Sequence, residues 1–328
     1  MSLRIELIRA LADGGLHSGA SLAGRLGVSR SAVWKQVHQL QAFGLEVVAE
    51  GRRGYRLVAP LELLDAERVS AGLTAAARAS CANLQVAAVL ESTNLALAAA
   101  LPPPPGAWCG LIAEYQTGGR GRRGRQWLSP FGSGLCLSFS WSFASAPREL
   151  PALSLAAGVA VSRALARSGI AGHALKWPND VLLDGAKVAG LLVDVDGDSR
   201  GPLRAVVGVG INLTVSRALG AAVAAAGGLA PAGLATHRGA IGRNALAGAI
   251  LSALHEVLTE FAASGFAPFL AEWRSHDGLA GREVRVRDGA AELVGVSRGI
   301  GPDGALLLEQ AGDVRRILSG DVSLRVAA

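Results

Sequence analysis

Lysine is rare in this chain, so the few lysines are the first candidates for chemistry. The 32 basic residues comprise 29 arginines and only Lys35, Lys176 and Lys187. A lysine ammonium is a compact point charge and an arginine guanidinium is a planar fork, so one does not replace the other. Lys176 and Lys187 lie close together in the sequence, with Asn179 and Asp180 between them. This spacing favours a site that needs a point charge; a pair of surface lysines is the alternative.

A second basic group lies in a glycine-rich segment. Four arginines fall within residues 120–125 of the sequence QTGGRGRRGRQW, residues 116–127. The backbone N–H groups of such a loop and its guanidinium forks together suit a phosphate or an acyl phosphate. The segment also matches GxGxxG, but no helix is predicted after it and no acidic residue lies about 20 residues downstream, which excludes a dinucleotide site. We predict a flexible flap; an unstructured basic loop is the alternative.

Strands on both sides of the flap are predicted to position it. Apolar runs predict strands at 111–115 and 135–143, followed by a helix at about 153–167. A further strand at 206–210 ends next to Asn212, whose amide is a candidate for reading a base. The central region is therefore expected to carry its polar residues at strand ends and in loops.

The two neighbouring lysines are predicted to lie on a β-hairpin. Residues 174–193 indicate a strand, a bend at a proline, a second strand, a turn at Asp184-Gly185 and a third strand. Because alternate residues of a strand share a face, Lys187, Ala189 and Leu191 are expected to point together. Small residues beside Lys187 leave room for a ligand.

The first sixty residues carry most of the excess positive charge. They hold 8 basic and 4 acidic residues of a chain with net charge +6, which indicates a polyanionic partner. Apolar periodicity with serine caps predicts three helices, and a hairpin wing is predicted around residues 51–54. We expect a helix-turn-helix from Ser18 to Val37 that binds duplex DNA. Its contacts would come from one helix face and the wing tip: Ser31, Trp34, Lys35, His38, Arg52 and Arg53. A small helical domain for protein contacts is the alternative.

The last fifty residues predict a small β-barrel, because short β-rich runs alternate with Asp-Gly and Pro-Asp-Gly turns. The net charge of residues 278–328 is zero, so nucleic acid is not the expected partner there. The predicted domains are therefore 1–60, 61–277 with a connector at 61–75, and 278–328.

Composition excludes several classes of protein. Hydrophobic residues make up 50% of the chain, which excludes disorder as the main state. The N-terminus lacks a signal-peptide core, and the most apolar stretches, 153–166 and 219–235, are interrupted by Arg, Gly or Pro, so no membrane span is expected. The three cysteines, Cys81, Cys109 and Cys136, form no CxxC pair and indicate neither a disulfide framework nor a zinc motif. A cytoplasmic location is expected.

Five segments in this order resemble the biotin–protein ligases: residues 91–94 (ESTN), 114–127 (EYQTGGRGRRGRQW), 176–180 (KWPND), 187–192 (KVAGLL) and 208–212 (GVGIN). Residues 321–325 (DVSLR) resemble the end of the barrel in that family. The winged helix in front makes the chain similar to the bifunctional form, in which the ligase is also the biotin operon repressor. The resemblance implies an α+β multidomain fold: an N-terminal winged helix-turn-helix, a central α/β ligase domain with a mixed sheet, and a C-terminal SH3-like barrel.

The resemblance implies an ATP-dependent, AMP-forming ligase. Biotin and ATP give biotinyl-5′-AMP, and a lysine of the biotin carboxyl carrier protein of acetyl-CoA carboxylase then displaces AMP. It implies catalytic roles for Lys187, Arg122 and Asp180. It implies biotin contacts from Ser92, Thr93, Asn94, Gln116, Arg120, Gly121, Arg122 and Lys187. It implies ATP or adenylate contacts from Arg122, Arg125, Lys176, Asn179, Asn212 and Arg325. ATP implies Mg²⁺, but no ligand set for it is readable.

The bifunctional form also implies a biotin-responsive repressor of biotin synthesis genes, with operator DNA as partner and a ligand-promoted homodimer. One alternative is a single-function ligase whose winged helix no longer binds an operator. Another is a repressor with an inactive enzyme domain, which the complete flap and Lys187 disfavour. A lipoate ligase shares the domain type, but neither the flap nor the winged helix is expected there. Residues 213–246 contain no aromatic residue, so what covers the adenine stays open.

Overall fold

The structure, a computed structural model, describes residues 2–197, 202–236, 241–288 and 291–324. Its N-terminal part is a winged helix, as predicted. Ser18 and Ser29 each accept a backbone N–H bond at a helix start, and Gly27 ends a helix in the left-handed conformation that glycine adopts without strain. The elements are helices α1 (Leu3–Leu11), α2 (Gly19–Leu26) and α3 (Arg30–Gln39), a 3₁₀ turn (Leu40–Phe43), and the wing strands β1 (Val47–Ala49) and β2 (Tyr55–Leu57).

The core of the winged helix is shared with the central region. Phe131, from the loop after the flap, is buried in it. The Phe131 N–H donates to the carbonyl of Phe43 at 2.8 Å, and the ring of Phe43 meets that of Tyr115 edge-on at 4.9 Å. The winged helix therefore packs against both flanks of the glycine-rich segment.

The central region is built on a seven-stranded mixed sheet of order β3-β4-β5-β9-β8-β7-β6. Strands β3 and β4 are parallel, and all other neighbours are antiparallel. The strands are β3 (Cys81–Leu90), β4 (Trp108–Gln116), β5 (Gly134–Phe143), β6 (His173–Lys176), β7 (Asp180–Leu183), β8 (Ala186–Gly197) and β9 (Leu203–Asn212). The flap and the lysine hairpin are thus connected to one sheet. The flap follows β4 near one edge of the sheet, and the hairpin strands lie at the other edge.

Helices cover this sheet and complete its core. They are α4 (Ala66–Ala71), α5 (Ala75–Ala79), α6 (Thr93–Ala99), α7 (Leu153–Arg167), α8 (Arg217–Ala225), α9 (Arg243–Ser264) and α10 (Leu270–Ser275). By length and composition, 150–167 and α9 are apolar enough to cross a membrane, but 67% and 61% of these stretches are buried inside the protein. They form the core of the central region together with the sheet.

The C-terminal region is a five-stranded antiparallel sheet of order β13-β12-β11-β10-β14. Its strands are β10 (Glu283–Asp288), β11 (Ala291–Ile300), β12 (Leu306–Gln310), β13 (Asp313–Ile317) and β14 (Asp321–Leu324). The structure confirms that the last fifty residues form a small β-domain. Val284, Val286 and Ile300 are fully buried and join the central core, and the Trp177 indole donates to the carbonyl of Gly304. The β-domain is therefore fixed against the lysine hairpin.

The lysine hairpin contains a β-bulge that the sequence pattern did not reveal. Val181 lies opposite Ala189 but Leu182 lies opposite Lys187, so two steps of β8 match one step of β7. Ala189 is buried in the core, whereas a methyl group added to Gly190 would lie 3.0 Å from the Lys187 Nζ. The expectation that Lys187 and Ala189 share a face was wrong, because the extra residue breaks the alternation.

Candidate active site and DNA-binding surface

Two lysines share one carboxylate at the centre of the cleft. The Lys176 Nζ lies 2.9 Å from Asp180 Oδ2, and the Lys187 Nζ lies 2.6 Å from Asp180 Oδ1. Lys176 and Asp180 are cross-strand partners, and Lys187 comes from the next strand, so all three side chains are held by the sheet. The arrangement fixes two ammonium groups around a single buried anion.

Asp180 stays ionised at neutral pH. Burial by itself raises the pKa of its carboxyl, but the charges of Lys176 and Lys187 and their hydrogen bonds outweigh burial, and the net pKa is lowered. Lys176, Asp180 and Lys187 together carry a net charge of +1, which suits them to an anionic ligand.

Trp127 is a site residue that the sequence prediction omitted. Its ring lies 5.6 Å from the Lys187 Nζ and packs over Gly210, where an added methyl group would overlap it. A methyl group on Gly208 would similarly overlap Asn94. Gly208 and Gly210 are therefore required because the side chains of Asn94 and Trp127 pack across the strand at these positions. In the sequence, Trp127 was marked only as the last residue of the flap motif.

One end of the cleft is a buried hydrogen-bonded network. The Gln116 side-chain oxygen accepts from the backbone N–H and the hydroxyl of Thr93, at 2.7 and 3.1 Å. The Ser138 hydroxyl donates to the side-chain oxygen of Asn94 and lies 2.7 Å from the hydroxyl of Thr93. No pattern in the sequence singled out Ser138. Ser92 caps helix α6, because its side chain accepts from the backbone N–H of Leu95. The network presents amide and hydroxyl groups suited to a neutral polar ring.

Cys136 lies on the apolar side of this end. Burial raises the pKa of its thiol to about 11, with Ser129, Gln116 and Trp127 facing the sulfur and opposing the shift. The thiol is therefore uncharged at neutral pH and behaves as a small apolar group.

The flap arginines contact the C-terminal β-domain. Arg122 donates to the carbonyl of Gly320 at 3.4 Å, and Arg123 donates to that of Arg287 at 3.1 Å. Arg125 forms an ion pair with Asp321. Burial lowers the pKa of Arg122, with the charge of Asp321 opposing the shift. The flap therefore lies over the cleft, attached at its tip to the β-domain.

An aliphatic segment closes the far end of the cleft. The Lys187 backbone N–H donates to the carbonyl of Ala230, and its carbonyl accepts from Ala232, both at 2.8 Å. Helix α8 and this segment supply the wall formed by Leu219, Val223, Leu229 and Pro231. The side-chain amide of Asn212 donates to the Lys187 carbonyl at 3.3 Å. Residues 213–246 contain no aromatic residue, and in the structure aliphatic side chains from this segment form the wall of the cleft instead.

The cleft of about 1080 Å³ brings nearly all predicted ligand residues together. Those lining it are Ser92, Thr93, Asn94, Gln116, Arg120, Gly121, Arg122, Arg125, Lys176, Asn179, Asp180, Lys187 and Asn212. Asn179 also donates to the carbonyl of Leu191 at 2.6 Å and so holds β8. Arg325, the remaining predicted contact, lies outside the described residues.

The described residues offer no protein-only magnesium site. No group of three or more His, Cys, Asp or Glu side chains lies together in the ranges the structure covers. Both oxygens of Asp180 are engaged by lysines. Mg²⁺ commonly binds through one or two carboxylates plus substrate phosphates, so the residues here do not by themselves fit the ion.

The exposed face of α3 carries the predicted DNA contacts. Ser31, Trp34, Lys35 and His38 are all exposed, and Val33 and Val37 are buried on the other side. The His38 Nδ1 contacts the carbonyl of Trp34 at 2.8 Å, and the two rings lie 4.2 Å apart. This face is ordered and turned to solvent, as a recognition helix requires.

The wing arginines differ in their partners. Arg53 forms an ion pair with Glu50 at 3.0 Å, and Glu50 also pairs with Arg56. Arg52 is exposed and forms no ion pair with any residue that the structure describes. The wing tip therefore presents one free cation and one that is partly neutralised.

A winged helix, a mixed-sheet cleft under a basic flap and a small β-domain define a DNA-binding ligase. Residues 86–212 match the Biotin/lipoate A/B protein ligase family, residues 4–56 match the HTH domain, and residues 280–325 match the Biotin protein ligase C terminal domain. The chain is 37% identical, over 98% of its length and 98% of the relative's, to the Bifunctional ligase/repressor BirA of Salmonella typhimurium. It belongs to the biotin–protein ligase family, in the bifunctional ligase/repressor form.

Two further comparisons agree with this family. The Bifunctional ligase/repressor BirA of Escherichia coli K12 is 37% identical over 98% of this chain and 97% of its own. The biotin protein ligase of Aquifex aeolicus in complex with biotin and ATP superposes with a TM-score of 0.62 at 28% identity, over 75% of this chain and 100% of its own. The two ligase/repressors match 98% of this chain, including the winged helix, whereas the Aquifex aeolicus structure matches 75%.

Proposed function

We propose that this protein activates biotin with ATP to biotinyl-5′-AMP and transfers biotin to a lysine of the biotin carboxyl carrier protein of acetyl-CoA carboxylase. The observation that carries the proposal is the joining of the Lys176–Asp180–Lys187 cluster, the flap and the Thr93–Gln116 network in one cleft. The Thr93–Gln116 network suits a neutral polar ring, and the lysine cluster with the flap arginines suits a carboxylate and the phosphate of a nucleotide.

In the first half-reaction, the biotin carboxylate attacks the α-phosphate and pyrophosphate leaves. Two anions must approach each other, so positive charge has to be fixed at the carboxylate and phosphate oxygens. Lys187 supplies this charge, and Asp180 and Lys176 hold it in place, since the three side chains already form ion pairs on rigid strands. Arg122 contributes a second cation from the flap.

The remaining predicted residues bind the ends of the adenylate. Thr93, Asn94 and Gln116, with Ser92, Arg120 and Gly121 beside them, take the ureido ring of biotin. Asn212, Asn179 and Arg125 lie towards the nucleotide, and Leu219, Val223 and Leu229 cover the adenine. We also assign Arg325 to the nucleotide, from the family motif alone. The flap, placed over the cleft, keeps water from the mixed anhydride.

Mg²⁺ enters this reaction with the phosphates of ATP. The ion would neutralise phosphate charge when bound, but both oxygens of Asp180, the carboxylate at the centre of the cleft, are engaged by lysines, so we derive no step through the ion.

The test of the ligase is mass spectrometry of the purified protein after incubation with biotin and ATP. We expect retained biotinyl-AMP and release of pyrophosphate, followed by a biotinylated carrier domain when that domain is added. A protein that forms no adenylate under these conditions would sink the ligase assignment.

We propose that the same protein represses biotin synthesis genes as a homodimer promoted by biotinyl-AMP. The exposed face of α3 and the wing support DNA binding, and one winged helix makes too few contacts for tight specific binding. Two copies on inverted half-sites give the needed affinity. Carrier protein then relieves repression by consuming the adenylate.

A mobility-shift assay on the promoter of the organism's own biotin genes tests the repressor. Six to ten phosphate contacts imply that affinity falls about 10³–10⁵-fold between roughly 50 and 200 mM salt. Arg52→Ala should flatten the salt slope more than Arg53→Ala, because Glu50 already pairs with Arg53. Lys35→Ala should mainly relax sequence choice. No shift at low salt, with or without biotin and ATP, would leave a single-function ligase.

We further propose domain limits near residues 60 and 278, a cytoplasmic location and no membrane partner. The burial of 150–167 and α9 in the core supports the last point. The barrel closure of the C-terminal sheet is proposed on the same basis as Arg325, from the family.

A further inference from the structure

The exposed face of helix α3 carries an aromatic ring that the protein does not bury. Trp34 is 55% exposed. The chain has 6 Trp, 2 Tyr and 7 Phe, all in the described ranges, and every one of them except Trp34 is buried or half-buried. DNA bound to this face would cover the ring and remove its apolar area from water.

The spacing of the exposed residues suits a helix that lies in the major groove. Ser31, Trp34, Lys35 and His38 follow the pattern i, i+3, i+4 and i+7. A DNA-binding helix that lies in the groove can read base edges with four residues at this same spacing. Trp34 and His38 are one helical turn apart on this face, so they would meet neighbouring base edges.

The ring of His38 has a fixed pattern of donor and acceptor. Its Nδ1 lies 2.8 Å from the carbonyl oxygen of Trp34, and a carbonyl oxygen can only accept. In the uncharged ring Nδ1 therefore carries the proton, and Nε2 is left as an acceptor. No hydrogen bond joins Nε2 to another residue that the structure describes. Nε2 can accept from the amino group of adenine or cytosine, whereas the major-groove edge of guanine offers only acceptors.

We propose that Trp34 and His38 together read an A·T base pair in the operator half-site. The indole ring contacts the thymine methyl, and His38 Nε2 accepts from the adenine amino group. The two ring centroids lie 4.2 Å apart, close to the spacing of about 3.4 Å between stacked base pairs, so both rings can reach the same pair. Only an A·T pair offers a methyl and an amino group together in the major groove. This inference rests on the proposed repressor function.

The two rings are held in this arrangement before DNA binds. The hydrogen bond of Nδ1 fixes the His38 ring against the backbone, and the Trp34 ring packs beside it with 47° between the ring planes. Side chains that are already fixed lose less rotamer freedom on binding. Lys35, next to Trp34, can only donate, so it reads neither a methyl nor an amino group. The preference for A·T therefore comes from the two rings.

The experiment uses the full chain with biotin and ATP at pH 8, where histidine is uncharged. The probe is the promoter fragment of the organism's own biotin genes, and footprinting identifies the half-sites. Each thymine there is replaced in turn by deoxyuridine, which lacks the methyl, and each adenine by purine deoxyriboside, which lacks the amino group. At one A·T pair in each half-site, each change should weaken binding about five- to tenfold, the lower end of the range for a base contact.

Two variants assign the contacts to the rings. Trp34→Ala should abolish the deoxyuridine effect at this pair and leave the purine effect, and His38→Ala should do the reverse. Both side chains are exposed, so neither variant removes core packing. Wild type and variants are compared on the same duplexes, so a weakened base pair in the probe does not imitate a lost contact. The control is Arg52→Ala in the wing, which should weaken binding to every duplex alike and leave both effects.

The outcomes separate this reading from the repressor function. Wild-type binding that is insensitive to both analogues, or analogue effects that persist in both variants, would overturn the reading of A·T. So would a dependence on a cytosine amino group that disappears in His38→Ala. A wild-type protein that does not shift the promoter fragment even at low salt would instead reject the repressor function.

Discussion

The cleft receives positive charge from two regions that are built in opposite ways. Lys176 on β6 and Lys187 on β8 flank β7 and share Asp180, the first residue of that strand. The flap arginines lie on a glycine-rich loop, and their partners belong to the β-domain, which is far away along the chain. The lysine charges are fixed by short-range sheet geometry, whereas the arginine charges depend on contact between two parts of the chain.

This difference indicates a division of labour. A charge that stabilises a transition state has to be in place before the reaction, because reorganisation adds to the barrier. A charge that retains an intermediate has to open and close, which glycines permit. We therefore expect changes in the hairpin to affect chemistry and folding, and changes in the flap to affect retention.

The largest effect should follow from Asp180→Asn. The variant leaves two lysines side by side without their counter-charge, and removal of one partner of a buried ion pair costs about 3–5 kcal/mol. Urea unfolding at neutral pH measures this loss. Asp184→Asn, in the exposed turn of the same hairpin with a φ of 51°, is the control and should stay near wild type, because asparagine tolerates that conformation.

The difference in stability between wild type and Asp180→Asn should depend on pH. The folded pKa of Asp180 is lowered, so its ionisation stabilises the protein above the ordinary carboxyl pKa of 3.8, and this contribution is lost as the pH falls through the lower folded value. The gap between wild type and Asp180→Asn should therefore narrow only below about pH 4. A gap that closes near neutral pH would contradict the ionised triad.

Next in size is Lys187→Ala, which should cut adenylate formation by about 10²–10³-fold, the loss typical of one preorganised transition-state donor. Lys187→Arg should fail as well, because the wider fork does not fit where an ammonium lies 2.6 Å from Asp180. Pyrophosphate release is the assay, and circular dichroism checks the fold. Wild-type release by either variant would remove Lys187 from the chemistry.

Arg122→Gly should separate retention from chemistry. We expect adenylate still to form but to dissociate about 10–100-fold faster, the range for losing one charge-assisted hydrogen bond. Bystander proteins should then be biotinylated on random lysines. Arg123→Gly is the matched control: Arg123 already has a φ of 54°, which glycine adopts without strain, and its guanidinium donates to the β-domain backbone. Equal leakage from both variants would point to loop flexibility rather than to the Arg122 charge.

The smallest effect should come from Asp321→Asn, which breaks the ion pairs of the flap residues Arg125 and Arg123 with the β-domain. Arg125 is 56% exposed and Arg123 lies at 3.7 Å, and such exposed pairs contribute at most about 1 kcal/mol. Adenylate dissociation should therefore rise less than about fivefold, and the difference should vanish at high salt. A loss as large as that of Lys187→Ala would mean that the two regions do not differ as described.

Local sequence signals predicted the elements whose causes are local. Ser18, Ser29 and Gly27 mark the helix ends of the winged helix, and Asp184-Gly185 marks the hairpin turn. The helix at 243–264 was not predicted, because its buried residues lie on most of its circumference and leave no amphipathic period. The family motifs named the ligand residues, and the cleft contains all of those that are described.

The sequence by itself determined which groups are available: three lysines, a flap of four arginines, a winged helix with excess charge and a set of ligase motifs. Only the tertiary structure decided how these groups are paired. Arg125 meets Asp321 across 196 residues, Trp127 packs over Gly210, and the bulge beside Lys187 turns it away from Ala189. The physical reason is that spacing along a chain sets local geometry, whereas long-range pairs form where packing of the whole core leaves charge and space together.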